Sequence, residues 1–502
     1  MPTVKPLVIG LDSSTTGTKA MAFDRQGNVS ACATDRISLH SPRPNHYEQN
    51  PDDWWVSAQN VLRKITRRIR PERIAALAIA NQRETFVPVD SKGVPLRPAI
   101  IWLDERCRDM VKPFSEKIGV RKIHRISGKP ADYAPVVYRL AWMKTHEPEL
   151  FGRISRIYDV HTWLVDKLTG TFQTSWASAD PLGMFDMKRK RWSPVILQAL
   201  TLNEKHLPET VPPGSIIGKI SRKAAVKTGL NAGTPVAAGG GDGQAAGLGA
   251  NAVSTERAYL NLGTAVVAGV FGQRYRISPA FRTMSACAES GYYYECSLRA
   301  GTFAVDWLVT HILKADPVKT PGIYRVLEKE ARQTPPGSDG LLFLPYLCGA
   351  MNPWWDVNAR GAFTGLSASH DRGHLYRAVL EGIAFEQRFA LREVEKAIRN
   401  EVREIAVIGG GAASTFWCRI LADITGRPVL LPVNTEASAL GAGITAAVCA
   451  GWYPSFHDAA AEMTAVRETV TPDPQSRNRY DRCFDAYTKL YTATAAIYAG
   501  MR

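Results

Sequence analysis

Apolar residues fall in short blocks along this chain, and most blocks end in glycine or hydroxyl residues. The first is LVIGLD, from residue 7. The polar turn SSTTGTK follows, AMAFD resumes the apolar pattern, DRQGN turns it again, and VSACATD closes it. Short apolar runs bounded by turn residues predict strands. The opening therefore reads as strand, glycine-bearing hydroxyl turn, strand, turn, strand. A related pattern returns about 250 residues later. AYLNLGT ends in Gly263 and Thr264, and AVVAGVFG follows. Two strand–GT–strand units suggest a duplicated architecture with a nucleotide held between the halves, although single hairpins are common.

Elsewhere strands and helices alternate, as in α/β folds. IAALAIANQ (74–82), PAIIWLD (98–104), TPVAAGG (234–240), EIAVIGGG (404–411) and PVLLPV (428–433) predict strands. QAAGLGANAV starts a helix, and residues 412–426 predict another, closed by Gly426. Further helices are expected over 371–399, over 436–451, where small residues dominate, and over about 473–500. The main boundary falls near 250–256, at GANAVSTERA, and divides the chain into units 1–252 and 253–502.

Composition narrows the class. A chain of 502 residues with 45% hydrophobic content can fill two cores. The formal net charge is +15, but the basic residues are spread out, with modest clusters at 63–73 and 187–191. Neither cluster lies among stacking aromatics, so no nucleic-acid partner is expected, and a solvated basic face is the preferred reading. The start, MPTVKPLVIGLD, lacks the long apolar stretch of a secretory leader. No window is apolar enough for a membrane span. The eight cysteines form no C-x-x-C pair, which fits reduced thiols in the cytoplasm.

Several segments carry candidate chemistry. Asp12 ends a strand and Ser13 to Thr18 follow as a tight hydroxyl turn. N–H groups and hydroxyls in such a turn cradle phosphate oxygens, and a carboxylate at the strand end holds Mg²⁺. Lys19 could face the terminal phosphate. The alternative is an ordinary polar hairpin, and no Walker-type loop is present. In AAGGGDGQAAG, three glycines deliver Asp242 from a strand end to a helix start. A carboxylate there suits a general base for a hydroxyl attacking phosphorus, or else a helix N-cap. IGGGAAS, with Gly410, Gly411 and Ser414, can pack against an adenosine, or is a plain glycine turn. In NQRET, an Arg83–Glu84 pair can grip vicinal hydroxyls. In IIWLDERC, Trp102 can cover a sugar's apolar face. A surface ion pair and a core tryptophan are the alternatives.

In this order along the chain, GLDSSTTGTKAMAFD, YEQNPDDWW, NQRET, PAIIWLDERC, DKLTG, GGGDGQAAGLG, LNLGT, ARGAFTGLSASHDRGHLYRAVLEGIAF, GGGAAS and EASALGAG resemble the FGGY family of carbohydrate kinases. The resemblance implies an α/β fold with two actin-like (ribonuclease H-like) domains and a cleft for ATP and sugar between them. It implies Asp242 as catalytic base and Asp12 near Mg²⁺. Thr15, Thr16 and Lys19 would lie near the phosphates, with Gly263 and Thr264 as a second phosphate turn. Gly410, Gly411, Ser414 and Asn434 would line the adenosine site. Arg83, Glu84, Trp102 and Tyr133 would face the acceptor together with Asp242. NQRET is similar to the family's glycerol kinases, whereas YEQNPDDWW, HEPELF and GLSASHDRGHLYRAVLEG are similar to its xylulokinases. The expected activity is ATP-dependent phosphorylation of a primary hydroxyl on a ketopentose such as xylulose. Glycerol or another polyol is the alternative acceptor, and a non-kinase actin-like ATPase the remote one. A homodimer is a further expectation from the family.

Overall fold

The computed structural model describes residues 5–288 and 290–500. The ends of the two expected units, residues 1–4 and 501–502, lie outside them. The opening pattern forms three strands, β1 (Leu7–Ser13), β2 (Gly17–Phe23) and β3 (Val29–Arg36). Helix α1 (Pro51–Thr66) comes next, with Asn50 accepting from the Asp52 N–H as its cap. Strands β4 (Ile74–Asn81), β5 (Ile216–Lys219) and β6 (Pro235–Gly241) complete a first sheet of order β5-β6-β4-β1-β2-β3. Strand β1 is antiparallel to β2 and parallel to β4, which is parallel to β6. Helix α2 (Asp242–Gly249) leaves the end of β6.

The second half repeats this plan. Strands β7 (Arg257–Leu262), β8 (Val266–Gly272), β9 (Arg282–Ser285) and β10 (Tyr292–Leu298) come first. The long helix α3 (Arg372–Ile398) precedes β11 (Glu404–Ile408), α4 (Thr415–Thr425), β12 (Val429–Pro432) and α5 (Ala437–Cys449). Strand β13 (Val466–Val470) and helix α6 (Pro474–Gly500) follow. The sheet order is β9-β10-β8-β7-β11-β12-β13. Here too the first hairpin strand is central, antiparallel to its hairpin partner and parallel to a later strand on the other side. The duplication suggested by two short hairpins is therefore an architectural one.

Helix α5 comes late in the chain but packs on β1, β4 and β6 of the first sheet and against α2. Backbones touch there. A Cβ on Gly10 would lie 1.9 Å from the Ala439 carbonyl oxygen, and one on Gly441 would lie 1.9 Å from that of Ala245. A core shared by both halves surrounds this contact, including Val8, Phe23, Ala245, Tyr259, Tyr293 and Ile444. Among the described residues, no helix is long and apolar enough to cross a membrane.

Two expected elements differ. The strand predicted over 98–104 is limited to Ala99–Ile100. The buried carboxylate of Asp104 accepts from the Tyr47 N–H at 2.7 Å and from Arg106, which turns the chain away. The helix expected from residue 412 starts at Thr415. A 3₁₀ turn occupies Gly410–Ala413, and Ser414 caps the helix by accepting from the Trp417 N–H.

Candidate active site

The ends of β1, β4 and β6 converge, and each delivers chemistry. Strand β6 ends in Gly239, Gly240 and Gly241, and Asp242 is the first residue of α2. Gly241, not Asp242, is the N-cap residue, and the Asp242 Oδ1 accepts from the adjacent Gly243 N–H at 2.7 Å. Asp242 lies deep in the protein, yet 39% of its side-chain surface stays open. Burial raises its pKa, and the cation of Arg83 opposes that. The Arg83 Nε sits 3.2 Å from the Asp242 Oδ1. The glycines explain how it gets there. A Cβ on Gly241 would lie 2.5 Å from the Arg83 Cδ, and one on Gly243 would lie 2.9 Å from its Nη2. The run GGGDG thus admits an arginine stem flat against the backbone that carries the aspartate.

Arg83 and Glu84 are neighbours in sequence and both buried, but they do not pair with each other, which sets aside the alternative of a surface ion pair. Glu84 has a left-handed φ of 50°, a strained value for a side-chain-bearing residue. The two side chains take separate partners. Arg83 donates from Nη1 to the Glu295 Oε2 at 2.7 Å, and Arg282 binds the Glu84 Oε1 at 2.9 Å. Arg282 also donates to the Glu295 Oε1 at 2.6 Å, and the Tyr259 hydroxyl donates to Oε2 at 3.2 Å. Burial pushes the Glu295 carboxyl up, but Arg282 and Arg83 outweigh it and hold the group down at about 2. Gln244 accepts from Arg83 at 3.3 Å.

Asp12 stands on the other side of this site, in register with Lys19 across the β1–β2 hairpin. Its Oδ1 is buried without a hydrogen-bond partner. Burial, followed by the nearby Asp242 charge, raises its pKa to about 7. An enclosed carboxylate with an unpartnered oxygen beside a second carboxylate fits a divalent cation. No cluster of three acidic, histidine or cysteine side chains exists among the described residues. Mg²⁺ is commonly held by one or two carboxylates plus substrate phosphates. The Lys19 ammonium is not directed freely into the turn, because it pairs with Glu436 of the second half.

The hydroxyl turn is tied to the end of β4 by a closed ring of hydrogen bonds. Thr15 Oγ1 donates to the Gln82 Oε1 at 3.2 Å, and Gln82 Nε2 donates to the Gln49 Oε1 at 2.8 Å. Gln49 Nε2 then donates to the Thr15 carbonyl at 2.7 Å. Trp102, 37% exposed, donates from its indole to the Thr15 Oγ1 at 2.8 Å. Thr16 lies in the same turn, and its carbonyl accepts from the Ile37 N–H.

The remaining expected residues gather at the end of the β7–β11 pair, with one exception. Gly263 and Thr264 form the β7–β8 turn, and their carbonyls accept from Thr302 and Gly301. Gly411 sits against Leu262 and Trp417, while the space beside Gly410 is open. Ser414 donates to the Glu328 Oε2 at 3.0 Å. Asn434 accepts from the Glu436 N–H at 2.9 Å, and its Nδ2 is buried without a partner. Tyr133 is the exception, since its hydroxyl is engaged by Glu105 and Arg299. Sequence reasoning missed Gln49, Gln82, Arg282 and Glu295 as site residues. The readable signal for Glu295 was a lone acid inside the apolar strand YYYECSL, which demands a buried partner.

Two halves of repeated topology, a partly open carboxylate where β6 meets α2 and a buried carboxylate with an unpartnered oxygen fit a phosphoryl-transfer enzyme with a two-domain actin-like ATPase fold. The chain belongs to the FGGY family of carbohydrate kinases, whose N-terminal domain matches residues 7–249 and whose C-terminal domain matches residues 258–450. It is similar to a xylulose kinase of Staphylococcus epidermidis, 26% identical over 99% of both chains. It is also similar to a gluconokinase of Bacillus subtilis, 26% identical over 96% of this chain and 95% of the relative. Among solved structures, the xylulose kinase of Rhodospirillum rubrum superposes with a TM-score of 0.89 at 28% identity, covering 98% of this chain and 100% of that one. The protein is an ATP-dependent sugar kinase, and enzymes of this family use ATP with Mg²⁺.

Proposed function

We propose that this kinase phosphorylates a primary hydroxyl of a ketopentose such as xylulose, with Asp242 as general base. One observation carries the assignment. Asp242 is the open carboxylate at the end of β6, with an arginine 3.2 Å away. The acceptor hydroxyl oxygen bonds to the γ-phosphorus, the bond from phosphorus to the β-phosphate oxygen breaks, and ADP leaves. Asp242 takes the hydroxyl proton. Mg²⁺, held through Asp12, would offset charge on the phosphate oxygens. N–H groups of the Thr15–Thr16 turn and of the Gly263–Thr264 turn bind those oxygens from the two halves. Gly410, Gly411, Ser414 and Asn434 line the adenosine side. Trp102 covers the sugar, Arg83 orients the base, and Glu84 and Tyr133 border the acceptor space. Lys19 reaches the phosphates by exchanging its partner Glu436.

The sugar itself is supported by the relatives named xylulose kinase and by the xylulokinase-like segments. Glycerol remains the alternative acceptor, from the glycerol-kinase-like NQRET segment. Gluconate is the second reading, from the gluconokinase relatives. ADP release with xylulose, ribulose, glycerol, erythritol and gluconate decides between them. A tenfold preference in kcat/KM corresponds to about 1.4 kcal/mol of transition-state discrimination. Highest kcat/KM with any acceptor other than a ketopentose overturns the sugar assignment.

The same proposal covers three further points. The unit boundary lies at 250–256, supported by a new sheet starting at Arg257 and by the two matched family domains. A cytoplasmic location is supported by ATP dependence and by eight free cysteines. A homodimer rests on the family resemblance alone, and sedimentation equilibrium tests it.

A further inference from the structure

We propose that Glu295 is a positioning residue for phosphoryl transfer: from the second half of the chain it clamps the Arg83 guanidinium against Asp242 and, through Arg282, fixes Glu84. The inference rests on the reading of Asp242 as base and deepens it. Five side chains alternate in charge from Asp242 through Arg83, Glu295 and Arg282 to Glu84, and every link is an ion pair of 3.2 Å or less. Glu295 is the central link, at 0% exposure. Both of its oxygens are used, Oε1 by Arg282 and Oε2 by Arg83 and the Tyr259 hydroxyl.

The geometry leaves Arg83 little freedom. Its stem lies over Gly241 and its guanidinium over Gly243, in close contact with the backbone that carries Asp242. A guanidinium is a rigid planar fork. Anchoring Nη1 on Glu295 therefore fixes where the rest of the guanidinium lies, with Nε 3.2 Å from the Asp242 Oδ1. The anchor comes from β10 and the base from the β6–α2 junction, so the site is assembled from both halves.

A purely structural role explains the arrangement less well. Buried ion pairs are often no more stable than apolar groups of the same volume. The chain also ends at the one carboxylate that is open. Glu84, Glu295, Arg83 and Arg282 are all enclosed, whereas Asp242 alone of the five keeps an open side-chain surface. A network built for stability has no reason to terminate there.

The test is a double-mutant cycle on kcat/KM for the sugar, with each sugar of the panel that turns over, alongside KM for MgATP and the melting temperature. Glu295→Gln keeps the shape and one acceptor oxygen but removes the charge. The expected result is a rise of about tenfold or more in sugar KM and a fall of about tenfold or more in kcat, with KM for MgATP changed by less than about twofold. Arg83→Gln gives a similar loss, and the double variant is no worse than Arg83→Gln by more than about threefold. Effects that multiply in the double variant overturn the proposal. A fall in active fraction with unchanged sugar KM does so too. Where Glu295→Gln fails to fold, Tyr259→Phe removes a single donor to the same carboxylate. It is expected to raise sugar KM in the same direction by a smaller factor, and an unchanged sugar KM overturns the clamp. A fully active Asp242→Asn would sink the base assignment separately, because the Glu295–Arg83 coupling is judged on sugar KM in enzymes that retain Asp242.

Discussion

A carboxylate acts as a base only while ionised, and burial works against that at Asp242. Arg83 supplies the opposing charge, and Asp12 adds a second carboxylate whose own pKa rises to about 7. Activity is present while the base is ionised and is lost as pH falls through its raised pKa. The acid limb of kcat is therefore expected above the ordinary aspartate value of about 4. A limb at or below that value contradicts a raised base. Asp242→Asn is expected to cut kcat by about 10²–10⁴-fold, with the Kd for MgATP changed by less than about threefold. Titration calorimetry checks the binding, and near-normal turnover removes Asp242 from the mechanism. Asp242 was singled out in the sequence by the family resemblance, because the glycine run alone left a helix cap equally open. Arg282 and Glu295 were not, because their meaning depends on partners about 200 residues away.

At the scale of elements, helix α5 decides how the halves meet. Its sequence EASALGAG looks only like a small-residue helix. Small residues are needed because its backbone lies against α2 and β1. Gly441→Ala would push a methyl to within 1.9 Å of the Ala245 carbonyl oxygen, against backbone that cannot yield cheaply. Overpacking of this kind costs about 1–3 kcal/mol. A lower melting temperature with the same fold is expected, and an unchanged one means that the helices separate freely. The long helix α3 carries a different kind of strain. Glu386 is buried and accepts from the Tyr346 and Tyr487 hydroxyls at 2.9 and 2.6 Å. Burial nevertheless raises its pKa to about 7, with the two hydroxyls opposing. The folded state then binds this proton more tightly than the unfolded chain, whose glutamates titrate near about 4.3. The contribution to stability is full below about 4.3 and is lost as pH rises to about 7, by a few kcal/mol at most. Glu386→Gln should flatten that decline in thermal unfolding between about pH 5 and 8. An equally steep decline in the variant would assign it to another group.

For the whole molecule, the cleft between two like halves matters more than either half. Phosphoryl transfer to a sugar competes with transfer to water, and closure over bound sugar excludes the water. Ion pairs already cross between the halves at Lys19–Glu436 and Arg83–Glu295. ATP turnover without sugar is expected to be at least about tenfold slower than with it. Small-angle scattering should show a smaller radius of gyration once sugar and nucleotide are both bound. Equal turnover with and without sugar would mean that the acceptor does not drive assembly. The net charge of +15 points to no partner at this scale, because its carriers are dispersed and many are spent on internal pairs.

Much of this organisation was written locally in the chain. Apolar blocks punctuated by glycine and hydroxyl turns specify the strands, the two hairpins, the hydroxyl turn and the Asp242 junction, because strand period and turn chemistry act over a few residues. The same local rules misread 98–104, where the buried Asp104 carboxylate draws its hydrogen bonds from distant Tyr47 and nearby Arg106. Only the tertiary structure decided that Arg83 and Glu84 part company, that Glu295 joins them from the other half, and that α5 lies on the first sheet. Those outcomes depend on which enclosed charge finds which counter-charge and on where backbones can touch. Neither is settled until residues hundreds of positions apart share one interior.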